Sequence, residues 1–199
     1  DLISWAAIGA RTTESQPHRM LASGLSMPVG FKNNTAGNVG VAVNAVLAAA
    51  NPHSFLSVTQ QGIGAIVVTK GNENCHIILR GGTQGPNYHA EHVKHAAALL
   101  KQKNIGCNVI IDCSHDNCSK DYKKQAMVID YSCQQLQNKE NHIMGLMIES
   151  NLIEGKQSLQ SGRNLTYGQS ITDGCIGWAE TETILYKLAD HCVKGEKYA

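Results

Sequence analysis

The sequence predicts an α/β protein built around a parallel β-sheet, and three observations carry that prediction. Short runs rich in Val and Ile alternate with longer amphipathic segments, as in successive βαβ units. Each run is nearly continuous in apolar character, as expected for strands covered on both faces. Hydrophobic residues make up 42% of the 199 residues and charged residues 17%, a balance that excludes intrinsic disorder and predicts a single domain, residues 1–199, with a large core.

Taken in order, the strand candidates are Trp5 to Ala10, Met27 to Phe31, His76 to Leu79, Asn108 to Asp112 and Met144 to Ile148. Between the first two, Thr13 and Gln16 stand at capping-box spacing and Pro17 suits a first helical turn, so a helix is predicted there. Two β-prone runs, Ser54 to Thr59 and Ala65 to Thr69, flank Gln60-Gln61-Gly62-Ile63-Gly64. They predict a hairpin inserted at 53–70, ahead of the third core strand. Ala90, Val93, Ala97 and Leu100 recur at helical spacing and predict the helix after that strand.

Seventeen basic against 16 acidic residues give a formal charge of +1, which argues against nucleic acid or a membrane surface as partner. No apolar run approaches the roughly 18 residues of a membrane helix. The seven cysteines (Cys75, Cys107, Cys113, Cys118, Cys133, Cys175 and Cys192) form no Cys-x-x-Cys pair and read as reduced thiols in a cytoplasmic protein. Sequons at Asn33, Asn117 and Asn164 then read as chance spacing.

The chemistry gathers where the predicted strands end. Arg11, Lys32, Arg80, His115 and Glu149 each follow one of the five runs, on the face where parallel α/β folds build their sites. Arg11, Lys32 and Arg80 lie among small residues, in Gly9-Ala10-Arg11, Gly30-Phe31-Lys32 and Arg80-Gly81-Gly82. Backbone amides can approach an anion there, and a guanidinium can grip phosphate or carboxylate with two donors. His115, Glu149 and Asp173 add one imidazole and two carboxylates, a set that suits a divalent metal or, equally, an acid–base trio without one. His89, His92 and His95 put a second His pair on one helix, at 92 and 95. With no carboxylate cluster or strand end beside them they read as solvated.

These segments also spell a family. Gly-Ala-Arg-Thr-Thr-Glu-Ser-Gln (9 to 16), Ser-Gly-Leu-Ser-Met-Pro-Val-Gly-Phe-Lys-Asn (23 to 33), His-Ile-Ile-Leu-Arg-Gly-Gly (76 to 82), Asp-Cys-Ser-His (112 to 115), Gly-Leu-Met-Ile-Glu-Ser (145 to 150) and Tyr-Gly-Gln-Ser-Ile-Thr-Asp (167 to 173) closely resemble the type I 3-deoxy-D-arabino-heptulosonate 7-phosphate (DAHP) synthases. The resemblance implies a (β/α)8 TIM barrel, of which these motifs cover the later five βα units plus the inserted hairpin. It implies condensation of phosphoenolpyruvate with erythrose 4-phosphate, the first step of the shikimate pathway, with a divalent transition metal (Mn, Fe, Co or Zn) as cofactor. Carried over position by position, Ala10, Arg11 and Arg80 bind the substrate phosphate, Lys32 its carboxylate, and His115, Glu149 and Asp173 the metal, with Lys32 and His115 catalytic.

The same resemblance implies feedback inhibition by an aromatic amino acid held by Leu21, Leu25, Ser26, Phe55, Ser57 and Val67. Phenylalanine is favoured, because Ser57 stands where tyrosine-sensitive relatives tend to carry glycine. A homo-oligomer, dimer or tetramer, is expected. The family's cysteine metal ligand and its Lys-Pro-Arg-Thr segment belong to barrel units outside the match. The expectation is therefore a portion of a longer enzyme or, as the alternative, a truncated, noncatalytic effector-binding or assembly module of the same fold.

Overall fold

The computed structural model describes residues 2–106, 108–138, 141–160, 162 and 164–195, the last three as backbone. Cys107 therefore lies outside the described residues. Five short strands, β1 (Ala6–Ile8), β2 (Val29–Lys32), β5 (His76–Leu79), β6 (Val109–Asp112) and β7 (Ile143–Met147), form one sheet in the order β1-β2-β5-β6-β7. Every pairing in it is parallel, and a register irregularity between Val109 and Ile110 marks the β6–β7 pair. All five match the sequence-based candidates to within three residues at each end. The sequence signal is strong because Val29, Phe31, Ile77, Ile78, Leu79, Val109 and Ile111 are fully buried, so neither face demanded polar alternation.

Between β1 and β2 runs α1 (Gln16–Ser23), and α2 (Gly40–Ala49) follows β2. The predicted capping box does not form. Ser15 is the N-cap of α1 and its side chain makes no capping bond, while the Thr13 hydroxyl is buried without a partner. Pro17 does sit in the first turn, where its missing N–H costs nothing. α2 buries Ala42, Val43, Ala45, Val46 and Ala49 against the sheet. Next come β3 (Ser54–Val58) and β4 (Gly64–Val68), the predicted hairpin, paired antiparallel with Phe55 opposite Val67 and Ser57 opposite Ala65. Helix α2 packs on β2 and β5, α3 (Ala90–Gln102) on β6 and α4 (Gln125–Leu136) on β7, and α5 (Trp178–Gly195) packs on α4.

One element was not foreseen: β8 (Ile153–Lys156) pairs in parallel with the two-residue β9 (Gln169–Ser170) as a separate small sheet. Among the described residues no helix is long and apolar enough to cross a membrane. Cys75, Cys113, Cys118, Cys133, Cys175 and Cys192 are free thiols. Asn33 and Asn117 are 0% and 3% exposed, so neither sequon asparagine can accept a glycan.

Candidate active site

The carboxyl ends of the parallel strands open into a cavity of about 630 Å³ whose wall includes Arg11, Arg80, His115, Glu149 and Asp173. Arg11, Arg80, His115 and Glu149 follow β1, β5, β6 and β7, so strand direction delivers those four to one rim, and Asp173 reaches it from the segment after β9 of the separate small sheet. The cavity lies within the usual range of ligand pockets, about 300–1,000 Å³.

Arg80 is the last residue before a sharp turn. Gly81 has φ +74°, and a Cβ on it would meet the Asn117 backbone nitrogen at 2.7 Å. At Gly82 a Cβ would fall 2.4 Å from the Gly37 Cα, so the β2 and β5 loops touch only because Gly82 lacks a side chain. Three buried asparagines fix these loops. Asn33 Oδ1 accepts from Arg80 N at 2.9 Å and from Asn87 Nδ2 at 3.1 Å, and Asn33 Nδ2 donates to Gly81 O. Gly81 N donates to Asn87 Oδ1, Asn87 N donates to Asn117 Oδ1, and Asn117 Nδ2 donates to the carbonyls of Leu79 and Asp112. A fully paired buried network of this kind holds its loops rigidly.

Two of the three candidate anion-binding cations are already paired. Arg80, its side chain 7% exposed, forms an ion pair with Asp116, leaving its buried Nε without a partner. Lys32 Nζ donates to Asp112 Oδ2 at 2.7 Å. Lys32, its side chain 12% exposed, is joined through Asp112 to His115 on the cavity wall, while Arg11 is exposed at the rim beside Ala10. Asp112 is fully buried. Burial pushes its carboxyl up, but the adjacent His115 ring and the Lys32 ammonium outweigh burial and hold it below the ordinary carboxylate range, so it stays an anion.

His115 has φ +53°, a left-handed conformation that is costly for a side chain with a Cβ and is typical of constrained sites. Its Nδ1 lies 2.9 Å from Asp112 Oδ2 but off the N–H direction, so that contact is a charge contact without an aligned hydrogen bond. Its Nε2 lies 3.7 Å from Glu149 Oε1. Ser114 Oγ donates to the other Glu149 oxygen at 2.7 Å, and Gln125 clamps the Glu149 backbone through its N–H and C=O. His115, Glu149 and Asp173 each offer a ligand atom, and those atoms lie within 4.8 Å of one another. One imidazole and two carboxylates, with outer groups orienting two of them, fit a Mn, Fe, Co or Zn ion. Cys113, beside this set, is buried, and burial pushes its thiol far up; it is no nucleophile.

Asp112, Asp116, Lys120 and Lys156 were not singled out in sequence. Asp112 ends a strand, which could have marked it. Lys156 ends β8, a strand the sequence does not announce.

A second cavity, about 330 Å³, runs between the end of α1 and the hairpin and is lined by Leu25, Ser26 and Val67, among others. Phe55, Ser57 and Val67 are half-buried while their neighbours Leu56, Ile66 and Val68 are exposed, so the three share the inner face of the hairpin. The i, i+4 spacing of Leu21 and Leu25 predicts that they share one helix, but Leu25 lies beyond the end of α1, whose C-cap is Gly24, and Leu21 is exposed.

Comparison with known proteins bears on both cavities. The model of the DAHP synthetase I family matches residues 1–186. The chain is 57% identical over 190 residues to a Phe-sensitive phospho-2-dehydro-3-deoxyheptonate aldolase of Escherichia coli K12, covering 96% of this chain and 54% of that protein. It is 50% identical over 194 residues to a tyrosine-inhibited aldolase of Schizosaccharomyces pombe, covering 96% and 52%. A solved phospho-2-dehydro-3-deoxyheptonate aldolase from Francisella tularensis superposes with TM-score 0.94 at 52% identity, covering 98% of this chain and 57% of the other. The chain spans about half the length of the curated relatives it matches.

Proposed function

Since the chain belongs to the DAHP synthetase I family, we propose that the protein it forms is a cytoplasmic enzyme condensing phosphoenolpyruvate with erythrose 4-phosphate to DAHP and phosphate, under feedback inhibition by an aromatic amino acid. The five parallel strands are then the later five of an eight-stranded barrel. The observation that carries this reading is the convergence, on one cavity wall, of Arg11 and Arg80 with His115, Glu149 and Asp173: a seat for a phosphorylated acid beside a metal-binding set. The relatives' names favour this over a noncatalytic module.

In this mechanism Arg11 and Arg80, with the backbone at Ala10, hold the phosphate of phosphoenolpyruvate, and the unpartnered Arg80 Nε supplies one of the donors. Lys32, steadied by Asp112, binds the substrate carboxylate. His115, Glu149 and Asp173 would hold a divalent metal, which when bound would supply Lewis-acid chemistry toward the aldehyde of erythrose 4-phosphate. Asp112 keeps the His115 ring turned so that Nε2 faces the carboxylates. The methylene carbon of phosphoenolpyruvate bonds to the aldehyde carbon, whose oxygen takes up a proton to become a hydroxyl; a water molecule adds at the carbon bearing the phosphate, and breaking of that carbon–oxygen bond releases phosphate and leaves the ketone of DAHP. The second cavity, near the lower end of the ligand-pocket range, receives the effector; Ser57 does not line it, but lies on the same hairpin face as Val67, which does, and its bulk relative to glycine favours phenylalanine over tyrosine there.

Steady-state kinetics on the intact enzyme test the reading. Arg80→Ala raises KM for phosphoenolpyruvate at least 10-fold more than KM for erythrose 4-phosphate, and His115→Ala loses metal-dependent turnover by 100-fold or more, beyond the 10- to 100-fold typical of outer-sphere losses. Equal weakening of both substrates by Arg80→Ala, or near-normal turnover of His115→Ala, would refute it. Stronger inhibition by tyrosine than by phenylalanine would refute the effector assignment alone.

A further inference from the structure

Away from the cavity, the start of α3 gathers a second set of metal-competent side chains. His89 is the N-cap residue and Glu91 and His92 lie in the first turn, and each offers a ligand atom, all within 4.8 Å of one another. From this geometry we propose that His89, Glu91 and His92 form a metal site for a borderline divalent ion such as Zn²⁺, Ni²⁺ or Co²⁺, separate from the set at His115.

Three independent features carry the assignment. The first is His92 Nδ1, a buried atom with no hydrogen-bond partner although it faces a carboxylate oxygen, Glu91 Oε1, at 3.9 Å. That separation is too long for a hydrogen bond. It is close to what two donors on one ion require, because two bonds of about 2.1 Å put their ends roughly 3.4 Å apart at the tetrahedral angle and about 4.2 Å apart at most. The His92 side chain as a whole is 43% exposed, so an ion can reach the unpartnered nitrogen from solvent.

The second feature is the fixed position of the His89 ring. It stacks on Tyr88 with centroids 4.3 Å apart, meets Tyr131 edge-on at 5.0 Å, and stands 5.7 Å from the His92 ring. Two aromatic neighbours from different parts of the chain hold the first ligand in place, so less side-chain freedom is lost on binding. Glu91, largely exposed, is the mobile member that closes on the ion.

The third is donor chemistry. Two neutral imidazoles and one carboxylate select Zn²⁺, Ni²⁺, Co²⁺ or Cu²⁺ over Mg²⁺ and Ca²⁺, which prefer all-oxygen shells. The positive end of the α3 dipole opposes a cation, and the Glu91 charge in the first turn offsets it. A bound ion would tie down the residues just after Asn87, and Asn87 belongs to the amide network beneath Arg80. The site therefore staples the β5–α3 connection from its outer end.

Metal stoichiometry on the intact protein tests this without reference to activity. After chelator treatment and equilibrium dialysis against Zn²⁺, the wild-type protein binds one equivalent more than His92→Ala, and His115→Ala still binds the α3 equivalent. Glu91→Gln, an exposed change that leaves the melting temperature unaltered, weakens that equivalent at least 10-fold. With Co²⁺, the absorption lost in His92→Ala lacks thiolate charge-transfer bands, which separates the site from adventitious binding by cysteines. Equal stoichiometry in wild type and His92→Ala, unchanged affinity in Glu91→Gln, or loss of all binding in His115→Ala would each overturn the proposal, whether or not the catalytic reading holds.

Discussion

In the proposed mechanism Asp116 competes for the guanidinium assigned to the substrate phosphate. Its carboxylate is paired with Arg80 inside the cavity, and Lys120 lies 3.9 Å from its other oxygen. Removing the charge frees a donor and ends a like-charge repulsion that amounts to about 4 kcal/mol for unit charges 4 Å apart at a near-surface dielectric, far less after solvent screening. Arg80 keeps its place without Asp116, since its side chain is buried and its backbone is held by Asn33. Asp116→Asn is therefore expected to tighten phosphoenolpyruvate or inorganic phosphate binding by about 10-fold, roughly 1.4 kcal/mol, measured by titration calorimetry; weaker binding would show that the carboxylate positions Arg80. At the other end of the sheet, Trp5 Nε1 donates to His76 Nε2 at 3.0 Å, which needs a neutral ring. Burial lowers the His76 pKa below its ordinary 6.5. The unfolded chain then takes up the proton first, so this contribution to stability is full above pH 6.5 and fades as pH falls through the folded value. Denaturation midpoints between pH 5 and 7.5 should show that loss in the wild type and a shallower slope in His76→Gln. The strand-end positions of Arg80, His115 and Glu149 were legible in sequence. Their partners were not, because the Lys32–Asp112 and Arg80–Asp116 pairs join residues 80 and 36 positions apart. The grouping of His89 with Glu91 and His92 was not legible in sequence, because α3 begins at Ala90 with His89 as its N-cap residue, while His95 is exposed.

Strands with two buried faces declare themselves in sequence, and elements with exposed ones do not. β5 reads His-Ile-Ile-Leu and is buried throughout, whereas β8 reads Ile-Glu-Gly-Lys with three exposed positions and matches no strand template. The hairpin falls between, its alternation visible but its outer face, Leu56, Val58, Ile66 and Val68, apolar and exposed. Two strands alone are marginal in water, so the amides of β3 and β4 are expected to exchange hydrogen faster than those of β5 and β6 by at least 100-fold; equal protection in the intact protein would show the hairpin to be covered there. The cavity beneath it is narrow, and a Cβ on Gly24 would meet Thr69 Cγ2 at 2.9 Å. Ser26→Phe should fill that space and raise the phenylalanine concentration for half-inhibition more than 10-fold while leaving uninhibited turnover near normal. Retained sensitivity would remove the effector from this cavity.

For the molecule as a whole, the sheet order β1-β2-β5-β6-β7 leaves β1 and β7 each with one unpaired edge among the described strands. Open parallel edges beside exposed Leu2, Ile3 and Met144 invite pairing with other chains. A polypeptide of residues 1–199 expressed by itself is expected to self-associate in light scattering and to lack turnover; a monodisperse, active monomer would contradict the barrel reading. The amide network above the sheet also governs how the chain can change in length. On one side the β5–α3 connection is pinned by Gly81, on the other by Asn87, so an added or lost residue at either pin would drag Arg80 from its seat. Between them Gln84 and Pro86 are exposed and the space beside Gly85 is empty. Gly82 and Gly85 exchange both backbone hydrogen bonds across this turn, so a deletion within 82–85 is expected to break it, whereas a residue added beside the exposed Pro86 is expected to lengthen the rim while Arg80 keeps its place.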